Sequence, residues 1–347
     1  VIAREGLVEI EVPRISGEKG PAKSGGVFYN RAMVFNRDIT IALLLSQNFR
    51  GTCLDGMGAS GVRGLRIARE VGCPVVINDW SAEAVEWIKK NARRNALEVE
   101  ITRRNVNALL HERKFDYVDI DPYGSPAPYL PAAVAGVRAG GILGITATDT
   151  AVLFGTYARK CLRRYFARNH RGPYSREMGV RILLASVVRE AARLDMGIRP
   201  LLSFSHDHYV RVFVRLERGA AKADECVESI KEMEWEGKIY GPLWTGDLHD
   251  VEVVHRLNPP DYMESAETIR ELRDIWANEN IFGFYDTVSI AAAMGVDIPP
   301  IRHVISSLRD AGYRAHRTHF CPTGIKTDAP REAVLRAVTG ESISGSD

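Results

Sequence analysis

Cysteine is scarce and scattered in this chain. The five thiols, Cys53, Cys73, Cys161, Cys226 and Cys321, form no C-x-x-C pair. That argues against the common zinc spacings and a disulfide framework, and it fits a reducing cytoplasm. No apolar run approaches the roughly 20 residues needed to span a bilayer, so no membrane partner is expected. No secretory leader is visible. Net charge is almost absent, with 46 basic and 44 acidic residues leaving +2 over 347 residues. Bulk charge therefore announces no nucleic-acid partner. Yet acidic residues are missing altogether between Asp149 and Glu177, a gap that holds Arg159, Lys160, Arg163, Arg164, Arg168, Arg171 and Arg176. An arginine-rich stretch of this kind suits bidentate phosphate contact. It suits a solvated helix face equally well.

What is present reads as an ordinary globular protein of about two domains, 45% hydrophobic and 26% charged. Leu7 to Val12 alternates and predicts a hairpin or an extended arm. Asn36 and Asp38 precede apolar residues at helical spacing, which predicts a helix to about Gln47. Short apolar runs then alternate with helical patterns. Strands are expected to end near Asp55, Asp79, Asn105, Asp121 and Thr146. Helices are expected over 60–71, 81–95, 132–138, 151–168 and 177–195. A ribbon over 198–205 and 208–216 closes the series, which indicates a doubly wound α/β sheet with one antiparallel edge. After Arg218 the pattern changes. A helix is expected over 223–235 and a turn-rich segment over 240–246. Three helical stretches and a ribbon over 318–326 follow and suggest a winged-helix-like module. The division expected is 1–218, 219–340 and a disordered tail over 341–347.

Gly56-Met57-Gly58-Ala59-Ser60-Gly61 matches G-x-G-x-x-G after the first strand, and Asp79 ends the next strand, where it can take a ribose diol. This spacing fits a dinucleotide as well as S-adenosylmethionine. Asp55, directly before the first glycine, favours the second. A fixed carboxylate there repels a pyrophosphate and attracts an ammonium or sulfonium group. The run Asp119-Ile120-Asp121-Pro122-Tyr123-Gly124 places a carboxylate, a rigid ring and an aromatic face at the end of another strand. Asp121 can take a proton from an exocyclic amine, and Tyr123, together with Phe28, can stack on a planar base. A stacked base cannot reach such a pocket unless it is flipped out. Asp119 alternates with Asp121 and reads as supporting. His206 and His208 flank a strand start and read as structural.

These runs, with Val27-Phe28-Tyr29-Asn30, Asn36-Arg37-Asp38, Val62-Arg63-Gly64, Thr146 to Thr150 and His208 to Val214, resemble the tRNA (guanine-26 N2)-dimethyltransferase family in its archaeal-type form. The resemblance implies a Rossmann-like class I methyltransferase sheet with a smaller α+β C-terminal domain that helps grip tRNA. It implies transfer of two methyl groups from S-adenosylmethionine to N2 of guanine 26. Asp121 then matches the catalytic aspartate, and Phe28 and Tyr123 match the aromatic positions at the base site. Arg37, Arg63 and Asp79 match donor-binding positions, joined by Asp55, Gly56 and Gly58 of the glycine turn. Asn105-Val106 stand where the family usually carries Asp-Ala beside the adenine. Arg302, Arg309, Arg314, Arg317 and Lys326 are expected phosphate contacts. Some relatives carry paired cysteines for zinc; this chain has none, so no metal is expected. The expected partner is tRNA, met by a cytoplasmic monomer. The alternatives are an N2-guanine methyltransferase acting at position 10 or 27, or a non-catalytic tRNA-binding protein that retains the donor site.

Overall fold

A computed structural model describes residues 1–13, the backbone of 15–16, and residues 27 and 29–343. Seven strands form the central sheet. Along the chain they are Cys53–Asp55, Val75–Asn78, Glu100–Thr102, Phe115–Ile120, Val137–Ala147, Met196–His206 and Tyr209–Arg218. Across the sheet they lie in the order third, second, first, fourth, fifth, seventh, sixth. The first five pair in parallel, and the seventh runs antiparallel to both of its neighbours. The antiparallel strand is thus not the edge strand that the sequence pattern suggested. It is inserted beside the fifth strand and leaves the sixth outside. Its composition explains the difference. Val210, Val212, Phe213, Val214 and Leu216 are all buried, as a strand covered on both faces requires.

The chain builds the first three strands outward, then returns to lay the fourth on the other side of the first. The reversal leaves a crevice beyond the carboxyl ends of the first and fourth strands. Helix Val34–Ser46 ends where expected but begins earlier, so Asn36 and Asp38 lie inside it rather than capping it, and helix Ala82–Arg94 falls within a residue of expectation. Ser81 caps the latter by accepting from the Ala84 N–H at 3.3 Å. The N-terminal alternation forms an antiparallel hairpin, Ile2–Glu5 with Val8–Glu11. It turns Glu5 into the interior.

Two expected helices differ from expectation, and one helix is additional. The 151–168 stretch is broken into Thr150–Leu153 and Ala158–Tyr165. Gly155 takes φ +84° there, and any Cβ would meet the backbone of Asn169 and His170 at 2.7–2.8 Å. The 223–235 stretch is a helix only over Ala220–Glu228. Ile230–Trp235 then pairs as a strand with Lys238–Trp244, because Glu236 and Gly237, both at positive φ, close a tight hairpin. The last helix, Arg331–Thr339, was not anticipated. Its signals were present: Pro330 before it, Glu332 in the first turn and Gly340 after it.

Two apolar cores flank the sheet, and both draw on residues beyond Arg218. Leu243, Trp244 and Phe284 pack into one, and Val253, Leu257 and Trp276 into the other. A third core, Tyr285 to Val338, is separate. It lies between helices Thr287–Met294, Ile301–Asp310 and Arg331–Thr339 and a three-stranded sheet of Tyr285–Asp286, Gly324–Thr327 and Ala315–Arg317.

Candidate active site

The crevice holds a cavity of about 520 Å³, within the range of small-molecule sites. Its walls gather residues far apart in sequence. Asp55, Gly56 and Gly58 come from the first strand and its turn, Arg63 from the helix Val62–Arg66 that follows, and Asp79 from the second strand's end. Asn105 and Val106 follow the third strand, Asp121 and Tyr123 the fourth, and Arg37 comes from the N-terminal helix. Every described residue expected at the donor or base site therefore lines one cavity. Phe28 lies outside the described residues.

The glycine turn is shaped by contact. A Cβ on Gly58 would lie 2.5 Å from Ile77 Cγ2, and the Gly58 N–H donates to the Asn78 carbonyl at 2.8 Å. The turn is thereby pressed onto the second strand. Asp79 fixes it from the other side. Its Oδ2 accepts from the Ala59 N–H at 2.9 Å and its Oδ1 from the Ser81 N–H at 2.8 Å. Asn105 uses its side chain as a helix cap, accepting from the N–H groups of Asn107 and Ala108. An aspartate could cap there in the same way, so the departure from the family pattern leaves the local backbone unchanged.

The charged groups form one buried cluster. Asp55 accepts from the Gly64 N–H at 2.9 Å. Its pKa is raised to about 7, chiefly by burial; Asp119 and Asp121 push the same way and Arg63 opposes. Arg63 donates Nη1 to Asn36 Oδ1 and Thr40 Oγ1, each at 2.9 Å, and Nη2 to Asp121 Oδ2. Asp121 keeps 19% of its side chain exposed, and its Oδ1 has no hydrogen-bond partner among the described residues. Arg37 lines the cavity while its guanidinium grips Glu5, Nε to Oε1 at 2.8 Å and Nη2 to Oε2 at 2.6 Å. Tyr123 stands at the rim, 73% exposed.

Several lining residues escaped sequence reasoning. Trp80, 71% exposed beside Asp79, Tyr129, Thr148 and His208 also face the cavity. Trp80 had a signal, an aromatic directly after the strand-end acid. His208, read as structural, is brought in by the hairpin between the sixth and seventh strands.

The basic gap becomes the helix Ala158–Tyr165 with its flanks. Arg159, Arg163 and Arg168 are exposed, Lys160 and Arg164 half-buried. Arg164 pairs with Asp149 at 2.9 Å, and Tyr165 Oη bonds both Asp149 and Ser125. That ties the helix to the rim segment after Tyr123. Arg302 and Arg317 are exposed on the C-terminal module. Lys326 is not. It is fully buried and donates to Glu177 Oε1 at 2.9 Å and to the carbonyls of Ile281 and Gly283. The expectation of a phosphate contact there fails, because a ribbon lysine faces inward to neutralise a buried helix carboxylate. Arg309 and Arg314 are occupied by Ala315 O and Asp328. Among the described residues, no group of three or more His, Cys, Asp or Glu side chains is arranged to hold a metal. No described helix is long and apolar enough to cross a membrane.

The inserted antiparallel strand, the glycine turn after the first strand and the acid ending the second define a class I methyltransferase fold, whose cavity suits S-adenosylmethionine. The fit rests on the chain's own groups: a turn closed to side chains, an acid at the second strand's end that lines the cavity, and a buried carboxylate that disfavours an anionic ligand. The family model for N2,N2-dimethylguanosine tRNA methyltransferase matches residues 6–235 and 228–339, and the chain belongs to that family. A tRNA (guanine(26)-N(2))-dimethyltransferase from Thermoplasma volcanium is 39% identical over 94% of this chain and 95% of its own. The Pyrococcus horikoshii protein of the same name is 34% identical over 96% of this chain and 97% of its own. The solved structure of Trm1 from Pyrococcus horikoshii with S-adenosyl-L-methionine superposes with a TM-score of 0.88, covering 97% of this chain and 99% of that one.

Proposed function

We propose that this chain transfers two methyl groups in succession from S-adenosylmethionine to the exocyclic N2 of guanine 26 in tRNA, giving N2,N2-dimethylguanosine. The observation that carries the reading is Asp121. Its carboxylate borders the same cavity as Asp55 and Asp79, and no described residue bonds its Oδ1. Its ion-pair partner, Arg63, is itself part of the cavity wall rather than a group elsewhere in the core.

When bound, S-adenosylmethionine supplies an electrophilic methyl group. Gly56 and Gly58 admit it, Asp79 takes its ribose, and Asp55 faces its cationic end. Arg37, Arg63, Asn105 and Val106 complete the donor wall. A guanine amine is a poor nucleophile because its lone pair is delocalised into the ring. Asp121 Oδ1 holds one N–H and receives that proton as the new N–C bond forms. The remaining N–H serves the second round. Tyr123, with Phe28, stacks on the flipped base and fixes it for attack.

Residues 219–340 act as the second, tRNA-gripping part of the chain, docked on the sheet's cores through Leu243, Trp244, Val253 and Trp276 and winged-helix-like in the end module that has its own core. Arg159, Lys160, Arg163, Arg164 and Arg168 contact phosphates near the acceptor site, and Arg302 and Arg317 contact them further away. The enzyme works on tRNA as a monomer.

The test is transfer of labelled methyl from S-adenosylmethionine to a tRNA transcript, followed by nucleoside analysis and mapping of the modified position. The expected product is N2,N2-dimethylguanosine at position 26. An active preparation whose product contains no N2-methylated guanosine would overturn the proposal. Asp121→Ala is expected to abolish turnover while donor affinity, read by calorimetry, stays within about threefold.

A further inference from the structure

Asp121 does not stand alone, and what holds it extends inward to a second carboxylate. Arg63 has five N–H donors in a fixed fork. Nη1 spends both of its hydrogens on Asn36 and Thr40. Nη2 gives one to Asp121. Nε faces Asp119 Oδ1 at 3.5 Å. The usual arrangement of a guanidinium and a carboxylate is the two-point fork, which occupies both oxygens. Asp121 and Arg63 do not adopt it, because the Nε edge is turned to Asp119.

Asp119 is fully buried and firmly anchored. Tyr117 Oη donates to its Oδ2, Arg211 Nη1 to its Oδ1 at 3.1 Å, and Arg211 Nη2 to its Oδ2. Arg211 is fixed in turn by Thr146 Oγ1 at 2.9 Å and Thr40 Oγ1 at 3.1 Å. Burial works against the Asp119 carboxylate, but Arg211 and Arg63 outweigh it and hold the group below the usual range. The result is a column from the seventh strand through the fourth to the cavity: Arg211, Asp119, Arg63, Asp121.

We propose that Asp119, anchored by Arg211, is a positioning residue that holds Arg63 in a one-point contact with Asp121 and so keeps Asp121 Oδ1 open to the substrate amine. The inference rests on the reading of Asp121 as the proton acceptor. With Asp119 neutral, the Nε edge is released, Arg63 closes as a fork on Asp121, and both of its oxygens are taken.

The experiment compares Asp119→Asn, Tyr117→Phe and Asp121→Asn in the full-length enzyme. The readouts are kcat, KM for tRNA, donor Kd by calorimetry and the melting temperature. Asp119→Asn is expected to lower kcat about tenfold to a hundredfold while KM and donor Kd stay within about threefold. A crystal structure of this variant should show Arg63 as a two-point fork on Asp121. Tyr117→Phe is the milder variant and stands in if Asp119→Asn does not melt cooperatively. It removes one anchor from Asp119 and should lower kcat about threefold with the same split. A purely packing role would lower the melting temperature and leave kcat intact below it. The inference is overturned if the variants fold and keep kcat within about twofold while Asp121→Asn is inactive, or if they raise KM and Kd instead. If Asp121→Asn itself turns over normally, it is the reading of Asp121 that has failed.

Discussion

Asp55 offers the sharpest single perturbation, because its carboxylate is costly to the empty protein and useful to the loaded one. Its pKa rises from 3.8 to about 7 through burial, with Asp119 and Asp121 adding to the effect and Arg63 subtracting. About three units at 1.36 kcal/mol each make the ionised form cost about 4 kcal/mol above pH 7. The sign follows from proton counting. Between about pH 4 and 7 the native chain holds a proton that the unfolded chain has released, so stability falls as pH rises across that window and levels off beyond it. Asp55→Asn keeps an acceptor for the Gly64 N–H and cannot ionise. Its stability advantage over the parent should therefore widen by about 2–3 kcal/mol between pH 5 and pH 8, or about 3–4 °C in melting temperature for a chain of 347 residues. The same substitution should weaken S-adenosylmethionine binding at least about tenfold, since the cationic end of the donor loses its counter-charge. Donor uptake by the parent protein at pH 7 should expel about half a proton, read by calorimetry in buffers of different ionisation enthalpy, and the variant should expel none. A melting-temperature gap that is flat from pH 5 to 8, with equal proton release in both proteins, would refute the reasoning.

Glu5 carries the opposite sign. Burial disfavours its charge, but Arg37 and Arg66 outweigh it and bring the pKa from 4.5 down to about 2. The resulting stability of about 3 kcal/mol is present above pH 4.5 and lost as pH falls through 2. Glu5→Gln should lower the melting temperature at pH 7 by about 4 °C, with the gap closing below pH 4.5; an equal gap at pH 3 and pH 7 would count against it. Gly58→Ala places a Cβ 2.5 Å from Ile77 Cγ2 and should cost about 2 kcal/mol. It should also weaken donor binding, read by calorimetry, because the turn is pushed off the second strand. Full donor affinity in that variant would mean the turn does not hold the donor.

The donor half of the site was legible in the chain because its chemistry is local. Asp55, Gly56, Gly58 and Asp79 announce a strand, a turn and the next strand's end within 25 residues, and the sheet topology alone brings them together. The sheet's order was only half legible. Strand runs state that they are buried, not which neighbour covers them, so the inserted seventh strand read as an edge. Long-range pairings were hidden altogether. A sequence gives no reason to join Glu5 to Arg37 and Arg66, or Lys326 to Glu177, 149 residues away. Spacing informs only where one element's geometry fixes it, and these pairs are fixed by how separate elements pack. Lys326 makes the point in energetic terms. A lysine in a basic ribbon reads as solvated, and the sequence does not show that Glu177 and Arg181 are buried beneath it. Leaving Glu177 without that partner would strand a charge in the interior at a cost of several kcal/mol, so the fold commits the lysine inward. The same logic governs Asp119. The sequence left Asp119 pointing either to the other face from Asp121 or into the donor pocket; residues two apart share a strand face, and both carboxylates meet the one guanidinium of Arg63. Only the three-dimensional arrangement reveals that Arg63 links the buried carboxylate to the one that borders the cavity.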